Sequence, residues 1–414
     1  MGLAVAYQLA TDGFKPVVYE ADNRVGGMTA SFDFGGLLIE RYYHFHCTSD
    51  LAFFEMLKEL GIEHKLHWTK TKMGYWFGGH LQDWGNPIAL LKFKGLDMAS
   101  KFRYGLHAFI SAKRKNWQSL DKESAIPWIK KWVGERAYQV LWEPLFLYKF
   151  YELSDCLSAA WIWSRIRRIG NSRYSIFEEK LGYLEGGSDT LLAALEQKIK
   201  DLGGEIRLQS PISEIVIEGD KVKGLIVNGD HDFYDQVIST IPIQLVPKIA
   251  PQLPAKILDQ YRAIKNIAVV CVIAKLKKSV SPNFWVNIND SEIQIPGVIE
   301  YSNLRPLNDT IIYAPFYMPQ NHADYKLSDT EFCNRLTKCI KKLNTNITDD
   351  DFIEIRVSRY QFAQPVCEPG HLDRLPPIHP NIEGLTIADT SYYYPEDRGI
   401  SESIGFGRSL ARRI

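Results

Sequence analysis

The chain has 414 residues, of which 45% are apolar and 24% charged, and its formal net charge at pH 7 is zero. This length predicts two domains, or one large domain with an inserted partner, and the composition is typical of a globular protein. A neutral chain gives no reason to expect a nucleic-acid partner, and no run of residues approaches the roughly 18 apolar positions of a membrane span.

The six cysteines show no spacing that is typical of a metal site or a disulfide framework. They are scattered and include no C-x-x-C pair: Cys47, Cys156, Cys271, Cys333, Cys339 and Cys367. The first residues carry neither the basic segment nor the cleavage site of a signal peptide. We therefore expect no metal site, reduced thiols and a cytoplasmic protein.

Residues 1–27 predict a helix, a strand and a glycine turn of the kind that binds a dinucleotide. Small and apolar residues begin at Gly2, and a short apolar strand follows that ends at Glu20. In a dinucleotide-binding fold, an acid about 20 residues after the glycine loop hydrogen-bonds the adenosine ribose. Arg24 and the pair Gly26 and Gly27 come next, and a cation beside accessible backbone N–H groups suits a pyrophosphate.

The chain begins at what would be the third glycine of a G-x-G-x-x-G fingerprint. That fingerprint needs a strand and two further glycines before this point. We therefore expect residues 1–27 to form the second half of a nucleotide-binding unit whose first strand and phosphate loop are absent. The alternative is an ordinary helix that enters a strand in any α/β protein.

The next segment predicts a hairpin and a pocket wall. Residues 30–40 form the hairpin, and residues 41–46 then bring His44 and His46 together with three aromatic residues. Such a cluster can contact a ligand, although a half-buried strand edge has the same pattern. Residues 51–62 predict an amphipathic helix, and residues 74–79 predict a turn between two short strands.

From about residue 88 to residue 173 the pattern is helical, aromatic and basic. Residues 91–117 contain seven Lys or Arg side chains against one acid, with apolar residues between them. A basic amphipathic helix can lie on an anionic membrane surface, so this segment is a candidate for membrane contact; a solvated face of a helical cap is the alternative. Arg165, Arg167 and Arg168 follow among tryptophans, which suits a pocket for an anionic, partly apolar substrate and equally a packed core.

The second half of the chain predicts a further helix, strand and meander, over residues 190–202, 205–208 and 211–240. Residues 251–355 predict alternating short strands and helices. The last segment predicts a buried strand that ends at Asp389, a loop over residues 392–399 and a final helix over residues 400–414. A strand, loop and helix in this order can aim a helix N-terminus at an anion.

Four landmarks in this order carry a resemblance to a known superfamily. They are residues 2–27 with Glu20, Arg24, Gly26 and Gly27; Gly186 and Gly187 before a helix that ends at Gly203 and Gly204; residues 235–242; and residues 384–389 with 397–399. Together they resemble the FAD-dependent protoporphyrinogen oxidase and flavin-containing amine oxidase superfamily, which includes phytoene desaturases and, more remotely, UDP-galactopyranose mutase.

The resemblance implies an α/β fold: a Rossmann-like FAD/NAD(P)-binding domain, N-terminally truncated, with an inserted α+β substrate or cap domain. The FAD-binding domain would comprise residues 1–73, 181–243 and 359–414. Residues 74–180 would form the helical cap, and residues 244–358 would form the sheet of the substrate domain.

The resemblance also implies that FAD is the cofactor and which residues bind it. Glu20 would bind the adenosine ribose, and Arg24, Gly26 and Gly27 would lie near the pyrophosphate. The other cofactor-binding positions are Gly2, Ile212, Thr240, Asp389, Arg398, Gly399 and Ile400.

The implied function is an FAD-dependent oxidoreductase, in which a small-molecule substrate under the cap gives a hydride to the flavin. His44, His46 and Tyr393 are the candidates for a catalytic acid or base, because each is predicted near the flavin. Two alternatives stay open: a flavin-dependent nucleotide-sugar mutase, and a truncated fragment that binds no FAD. The expected location is the cytoplasm, with peripheral contact to the inner face of the membrane as a further expectation.

Overall fold

The computed structural model of the protein describes residues 1–175 and 177–413. Its strands are β1 (Val17–Tyr19), β2 (Ser31–Phe34), β3 (Leu37–Glu40), β4 (Leu66–Thr71), β5 (Met73–Phe77), β6 (His80–Trp84), β7 (Glu179–Leu184), β8 (Glu205–Arg207), β9 (Ile212–Glu218), β10 (Lys221–Val227), β11 (Asp230–Phe233), β12 (Val237–Ser239), β13 (Asn266–Leu276), β14 (Trp285–Asn289), β15 (Gly297–Glu300), β16 (Thr310–Pro319), β17 (Phe352–Pro365) and β18 (Leu385–Ile387). Its helices are α1 (Gly2–Thr11), α2 (Leu51–Glu59), α3 (Pro87–Lys92), α4 (Met98–Lys113), α5 (Ala125–Val133), α6 (Glu135–Leu141), α7 (Glu143–Phe150), α8 (Ala159–Asn171), α9 (Ser188–Asp201), α10 (Val246–Ile249), α11 (Ala255–Ala263), α12 (Asp329–Leu343), α13 (His371–Arg374) and α14 (Ile400–Ala411).

A large mixed sheet divides the cap helices from α12. Among the described residues its strand order is β17-β13-β16-β15-β14-β5-β6. All 11 residues of β13 are buried. Alternate side chains of β13, such as Val269 and Cys271, pack toward the cap helices, while Val270 and Val272 pack with Leu336 of α12. The period of two along a strand thus gives the sheet one apolar face for each layer of helices.

The expectation of short strands over residues 251–355 holds for β14 and β15, with 5 and 4 residues, and is wrong for two other strands of this sheet. Strands β13 and β16 have 11 and 10 residues. A strand that is buried on both faces reads as a continuous apolar run without alternation, so its length has no clear signal in the sequence.

The first and last segments of the chain each contribute a strand to a short parallel pair and a helix beside it, as in a Rossmann-like fold. Strand β1 pairs in parallel with β8, and β12 pairs in parallel with β18. Helix α1 packs between α9 and α14. Strands β9 and β10 form the predicted hairpin, and β11, which the sequence did not predict, completes an antiparallel meander. This mixed α/β architecture agrees with the predicted fold class.

The predicted domain division stays a prediction. Three of its four borders fall inside strands, at residues 73/74 in β5, 180/181 in β7 and 358/359 in β17. Ile176 and Ile414, which belong to two of the predicted segments, lie outside the described residues.

The segment over residues 87–171 is helical, as predicted, and forms α3 to α8. Trp161 and Trp163 on α8 are completely buried, so these tryptophans belong to the core of the cap. None of the described helices is long and apolar enough to cross a membrane.

Candidate functional site

A cavity of about 2510 Å³ lies between the two parallel strand pairs, the cap helices and one face of the large sheet. Pockets for a single small molecule occupy about 300–1,000 Å³. The cavity is therefore large enough for a cofactor and a substrate together. Its wall includes residues from α1, β1, β12, α4, α7, α8 and the loop before α14.

At one end of the cavity lie the end of β1 and the glycine turn that follows it. Glu20 lines the cavity, and its Oε1 accepts a hydrogen bond from the Asp22 N–H at 2.9 Å. Gly26 has a φ of 111°, and a Cβ there would lie 2.5 Å from Cδ1 of Leu192, so the position requires glycine. Gly26 and Gly27 both line the cavity, which leaves their backbone accessible to a ligand.

Three predicted cofactor-binding residues from distant parts of the chain meet at this end. Gly2 begins α1, and a Cβ added to it would lie 3.0 Å from Oγ1 of Thr240, directly after β12. Ile212, the first residue of β9, lines the cavity together with both of them. The close contact of Gly2 and Thr240 explains why a residue without a side chain stands at the start of α1.

Arg24 lies elsewhere. It is not among the described residues that line the cavity, and its guanidinium donates hydrogen bonds to the Ser31 carbonyl and to Oδ1 of Asn23. The cation that does line this end is Arg41, whose Nη1 lies 2.9 Å from Oδ2 of Asp22. A pyrophosphate contact by Arg24 stays a prediction without support from the geometry. Arg41 was not predicted to bind the cofactor, although it is the first residue of the predicted pocket wall, residues 41–46.

At the C-terminal end of β18, Asp389 joins two strands of the site. Its side chain is 5% exposed. Oδ1 accepts the Ser391 N–H at 2.8 Å, and Oδ2 accepts the Ile243 N–H at 3.1 Å. Burial raises the pKa of this carboxyl, and the two backbone donors oppose that rise. Asp389 thus fixes the loop after β18 against the segment after β12, at the cavity wall.

The last helix begins at this wall. Gly399 precedes α14, and both Gly399 and Ile400 line the cavity. The first N–H groups of a helix have no partner within the helix, so the start of α14 favours a negatively charged or electron-rich group. Tyr393 lines the same wall, but its hydroxyl donates to Oγ of Ser403 at 3.0 Å.

The two predicted histidines have different surroundings. His46 is 4% exposed, its ring stacks on Phe53 with centroids 3.7 Å apart, and its backbone pairs with Gly182. Burial, with smaller contributions from His44 and Arg168, lowers the pKa of His46 to about 3. His46 is therefore uncharged near pH 7, and its packing on Phe53 and pairing with Gly182 stabilise the fold.

His44 also lines the cavity, and its Nδ1 is buried without a hydrogen-bond partner among the described residues. Burial lowers the pKa of His44, and Arg398 adds to this effect. The Glu40 carboxylate and an interaction with the Tyr42 backbone oppose it. A neutral imidazole with a buried, unpartnered nitrogen can accept or deliver a proton in the cavity.

A group of charged side chains faces the cavity between α7, α8 and the loop before α14. Nη2 of Arg165 lies 3.0 Å from Oδ1 of Asp397, which also accepts the Arg398 N–H at 2.9 Å. Lys149 lies in the same wall, with Nζ 4.6 Å from the ring centroid of Tyr317. Arg165 and Arg398 were named from the sequence. Lys149 was missed, because a single lysine in an apolar helix has no distinct signal.

A family model described as "Flavin containing amine oxidoreductase" matches residues 2–412. The chain belongs to this family. The match confirms the resemblance stated from the sequence, and it confirms a flavin as the expected cofactor.

Individual relatives are distant. The 15-cis-phytoene desaturase of Synechococcus elongatus is 24% identical over 279 residues, which cover 60% of this chain and 57% of that protein. The matched region spans about half the length of this and two further phytoene desaturases. The coproporphyrinogen III oxidase of Staphylococcus aureus is 21% identical over 100% of this chain and 96% of its own length.

The structure of a reduced UDP-galactopyranose mutase has the same fold, with a TM-score of 0.75, 16% identity, and coverage of 99% of this chain and 92% of that one. A fold shared at this identity does not fix the reaction. The sequence relatives are oxidoreductases, so the mutase has less support than the main interpretation.

The residues in the cavity fit a flavin cofactor. The glycine turn at Gly26 and the start of α14 present backbone N–H groups to the cavity from two sides. Nδ1 of His44 is buried there without a hydrogen-bond partner among the described residues. A bound flavin with a polar isoalloxazine edge would supply a group of the kind that this atom lacks.

Proposed function

We propose that this protein is an FAD-dependent oxidoreductase that takes a hydride from a small-molecule substrate held under the cap. The observation that carries the proposal is the large cavity, since its wall contains both the predicted nucleotide-binding residues and aromatic residues of β6 and the cap, such as Trp84 and Trp142. When bound, the flavin supplies the redox chemistry. The chain supplies binding, orientation and exclusion of water.

We propose roles for the residues from their places in the cavity wall. Glu20, Gly26 and Gly27 would hold the adenosine ribose and the pyrophosphate, and Ile212 and Thr240 would border the adenine. Asp389 would support the ribityl or pyrophosphate region, and the start of α14 at Gly399 and Ile400 would hold the flavin. All of these residues except the paired Asp389 have backbone or side-chain atoms facing the cavity that are available to a ligand.

We infer that His44, rather than His46 or Tyr393, moves a proton during the reaction. His44 has a buried nitrogen without a partner, whereas the ring of His46 stacks on Phe53 and the hydroxyl of Tyr393 is bound to Ser403. A general acid or base must reach the reacting proton with an available atom, and His44 alone of the three candidates meets this condition.

The proposal is tested by the visible absorption spectrum of the purified protein after incubation with excess FAD and gel filtration. We expect a yellow protein with about one flavin per chain, and weaker retention of FAD by Gly26→Val, because a side chain there would meet Leu192. Gly219→Val, at an exposed hairpin turn with open space around it, is the matched control. A colourless wild-type protein would refute the proposal.

The alternative, a nucleotide-sugar mutase that uses the flavin without net oxidation, requires two cations for a diphosphate. Arg165, Arg168 and Arg398 line the cavity. Arg165 and Arg168 are paired with Asp397 and Asp50 at 3.0 and 3.2 Å, so a diphosphate would have to share these arginines with the two carboxylates. Turnover that requires reduced flavin but gives no oxidised product would decide for this alternative. Net reduction of the flavin by the substrate would decide against it.

We further propose that the outer surface of α3 and α4 docks on an anionic membrane. Large apolar side chains are exposed along it: Ile88, Leu91, Met98, Phe102, Leu106 and Phe109. Exposed lysines border it: Lys92, Lys94, Lys113 and Lys115. An apolar stripe beside cations is the pattern of helices that lie in the surface of a bilayer. Phe109 is 64% exposed and also lines the cavity, which would give a lipophilic substrate a path from the bilayer.

This docking is tested by sedimentation with vesicles of phosphatidylcholine, alone or mixed with phosphatidylglycerol, at low salt. We expect binding to the mixed vesicles only, and its loss in the double variant Phe102→Ser and Phe109→Ser. The control is Phe233→Ser, since Phe233 is 76% exposed on β11, outside the cap. Wild-type protein that stays in the supernatant, or equal loss in the control, would contradict the docking. The cytoplasmic location stays a prediction.

A further inference from the structure

The charged group in the cavity wall has more basic side chains than acids to pair with them. Lys149, Arg165 and Arg398 are the basic side chains, and Asp397 is the acid between them. Oδ1 of Asp397 accepts hydrogen bonds from Arg165, from the Arg398 N–H and from the side-chain amide of Gln364. Burial, together with Arg165 and Arg398, lowers the pKa of Lys149 well below its usual value, and an anionic partner would raise this pKa again. One carboxylate thus faces three basic side chains.

Two of these basic side chains have hydrogen-bond donors without a partner among the described residues. Nη1 of Arg398 is buried and has no hydrogen-bond partner within the described part of the chain. Lys149 is 8% exposed and lines the cavity. Within residues 1–175 and 177–413, its Nζ contacts only the faces of Phe150 and Tyr317, at 5.4 and 4.6 Å from their centroids. An aromatic face compensates a cation only partly.

The other acids nearby act on other arginines. Asp50 lies 3.2 Å from Arg168, and Glu396 lies 3.7 Å from Arg167. Burial raises the pKa of Glu402 to about 7, and the cation that opposes this rise is Arg168. Burying a cation without a partner is expensive unless an anion accompanies it. The wall beside Lys149 and Arg165 is otherwise apolar, with Leu145, Phe146, Ile162 and Ile166. The cavity therefore combines an unbalanced positive charge with an apolar surface.

We propose that Lys149 and Arg398 bind an anionic group, a carboxylate or a phosphate, of a substrate whose remainder is apolar. Asp397 offsets part of the positive charge of this wall and therefore competes with the anionic group for it. The inference rests on the proposed oxidoreductase function and narrows its substrate class. An amine substrate would bring an ammonium group to like charges, so the wall selects against amines.

The test compares two ligands with the same apolar tail and opposite charges, octanoate and octylamine, on the flavin-loaded protein. Binding is followed by the change in the flavin absorption spectrum and by calorimetry. We expect octanoate to bind and octylamine not to bind. Lys149→Met should weaken octanoate by about ten- to a hundred-fold, the usual value of a hydrogen bond to a charged group. The control is Lys122→Met, since the Lys122 side chain is 81% exposed on the surface.

A second variant should act in the opposite direction. Asp397→Asn removes the negative charge that competes for Arg165, so octanoate should bind more tightly than to the wild type. If Lys149→Met does not fold, Lys149→Arg keeps the charge and should keep octanoate binding. Equal affinity for octylamine, or unchanged octanoate affinity in Lys149→Met, would overturn the inference.

Two further outcomes show whether the cluster binds the cofactor or the substrate, and whether a failure belongs to this inference or to the oxidoreductase proposal. If Lys149→Met loses FAD while the remaining holoprotein binds octanoate normally, the cluster serves the cofactor and the inference is wrong. If the wild type holds no flavin, the oxidoreductase proposal fails. Calorimetry with octanoate then still tests the cluster by itself, because Lys149 and Arg398 belong to the chain.

Discussion

Replacing Asp397 with asparagine should destabilise the protein, because the amide keeps the shape of the side chain but removes the charge that faces three cations. Burial raises the pKa of the Asp397 carboxyl, but Arg165, Lys149 and Arg398 outweigh it and lower this pKa from 3.8 to about 2. Each tenfold change in proton affinity is worth about 1.4 kcal/mol, so the ionised form contributes about 2.5 kcal/mol to the free energy of unfolding. The side chain is 24% exposed, which leaves little solvent screening.

The pH dependence has a definite sign. A carboxyl whose pKa is lower in the folded than in the unfolded state stabilises the fold while it is ionised. Its contribution is therefore complete above the ordinary pKa and is lost as the pH falls from about 4 to about 2. The difference in unfolding free energy between the wild type and Asp397→Asn should thus stay constant from neutral pH down to about pH 5.

Urea unfolding followed by tryptophan fluorescence measures this difference. The matched control is Glu396→Gln, the same change one residue earlier: burial raises the pKa of Glu396, so its charge does not stabilise the fold and its removal should cost nothing. A loss below about 1 kcal/mol in Asp397→Asn, or a difference that already shrinks between neutral pH and about pH 5, would show that the cations do not depend on Asp397.

Two further pairs of variants test the site and the fold. His46→Ala should lower the unfolding free energy by about 2 kcal/mol or more, since it empties a buried, stacked position. His44→Ala should instead lower turnover by about 10²–10⁴-fold with little loss of stability. The reverse pattern would show that the roles of the two histidines are exchanged. Gly384→Ala should prevent folding or cost above about 3 kcal/mol, because its φ is 80° and the new Cβ would lie 2.1 Å from the Asp235 carbonyl oxygen. Gly13→Ala, at a φ of 92° in open space, should cost only about 1 kcal/mol in the same urea titration, and equal losses would argue against the clash.

The parts of the fold that the sequence predicted depend on local signals. The hairpin of β2 and β3 turns at Gly35 and Gly36, both at positive φ, and a glycine pair between two apolar runs announces such a turn. Glu20 could be named because it directly follows the short strand β1, at the distance from Gly2 that the dinucleotide-binding pattern requires. These signals involve neighbours in the chain, so one sequence suffices to detect them.

Long-range pairing had no such signal. Strand β4 pairs with β7, in which Thr71 lies opposite Glu179, and β5 joins the large sheet through β14. The residues of β4 are mostly half-buried or exposed, so their pattern does not indicate a partner more than 100 positions away. The preference of a strand depends on its neighbours in the sheet rather than on its own residues.

The same reasoning explains why the charged wall of the cavity is visible only in the structure. Arg165 and Arg398 could be named from the sequence as single residues, but their relation to Asp397 depends on how α8 packs against the loop before α14. No sequence pattern marks Lys149, although its burial makes it the residue of this group that points most directly to a bound ligand. A surface lysine costs the fold nothing, whereas a buried lysine without a carboxylate partner destabilises it. Such a position is expected where a ligand recovers the cost, and Lys149 lies in the wall of the cavity that accepts one.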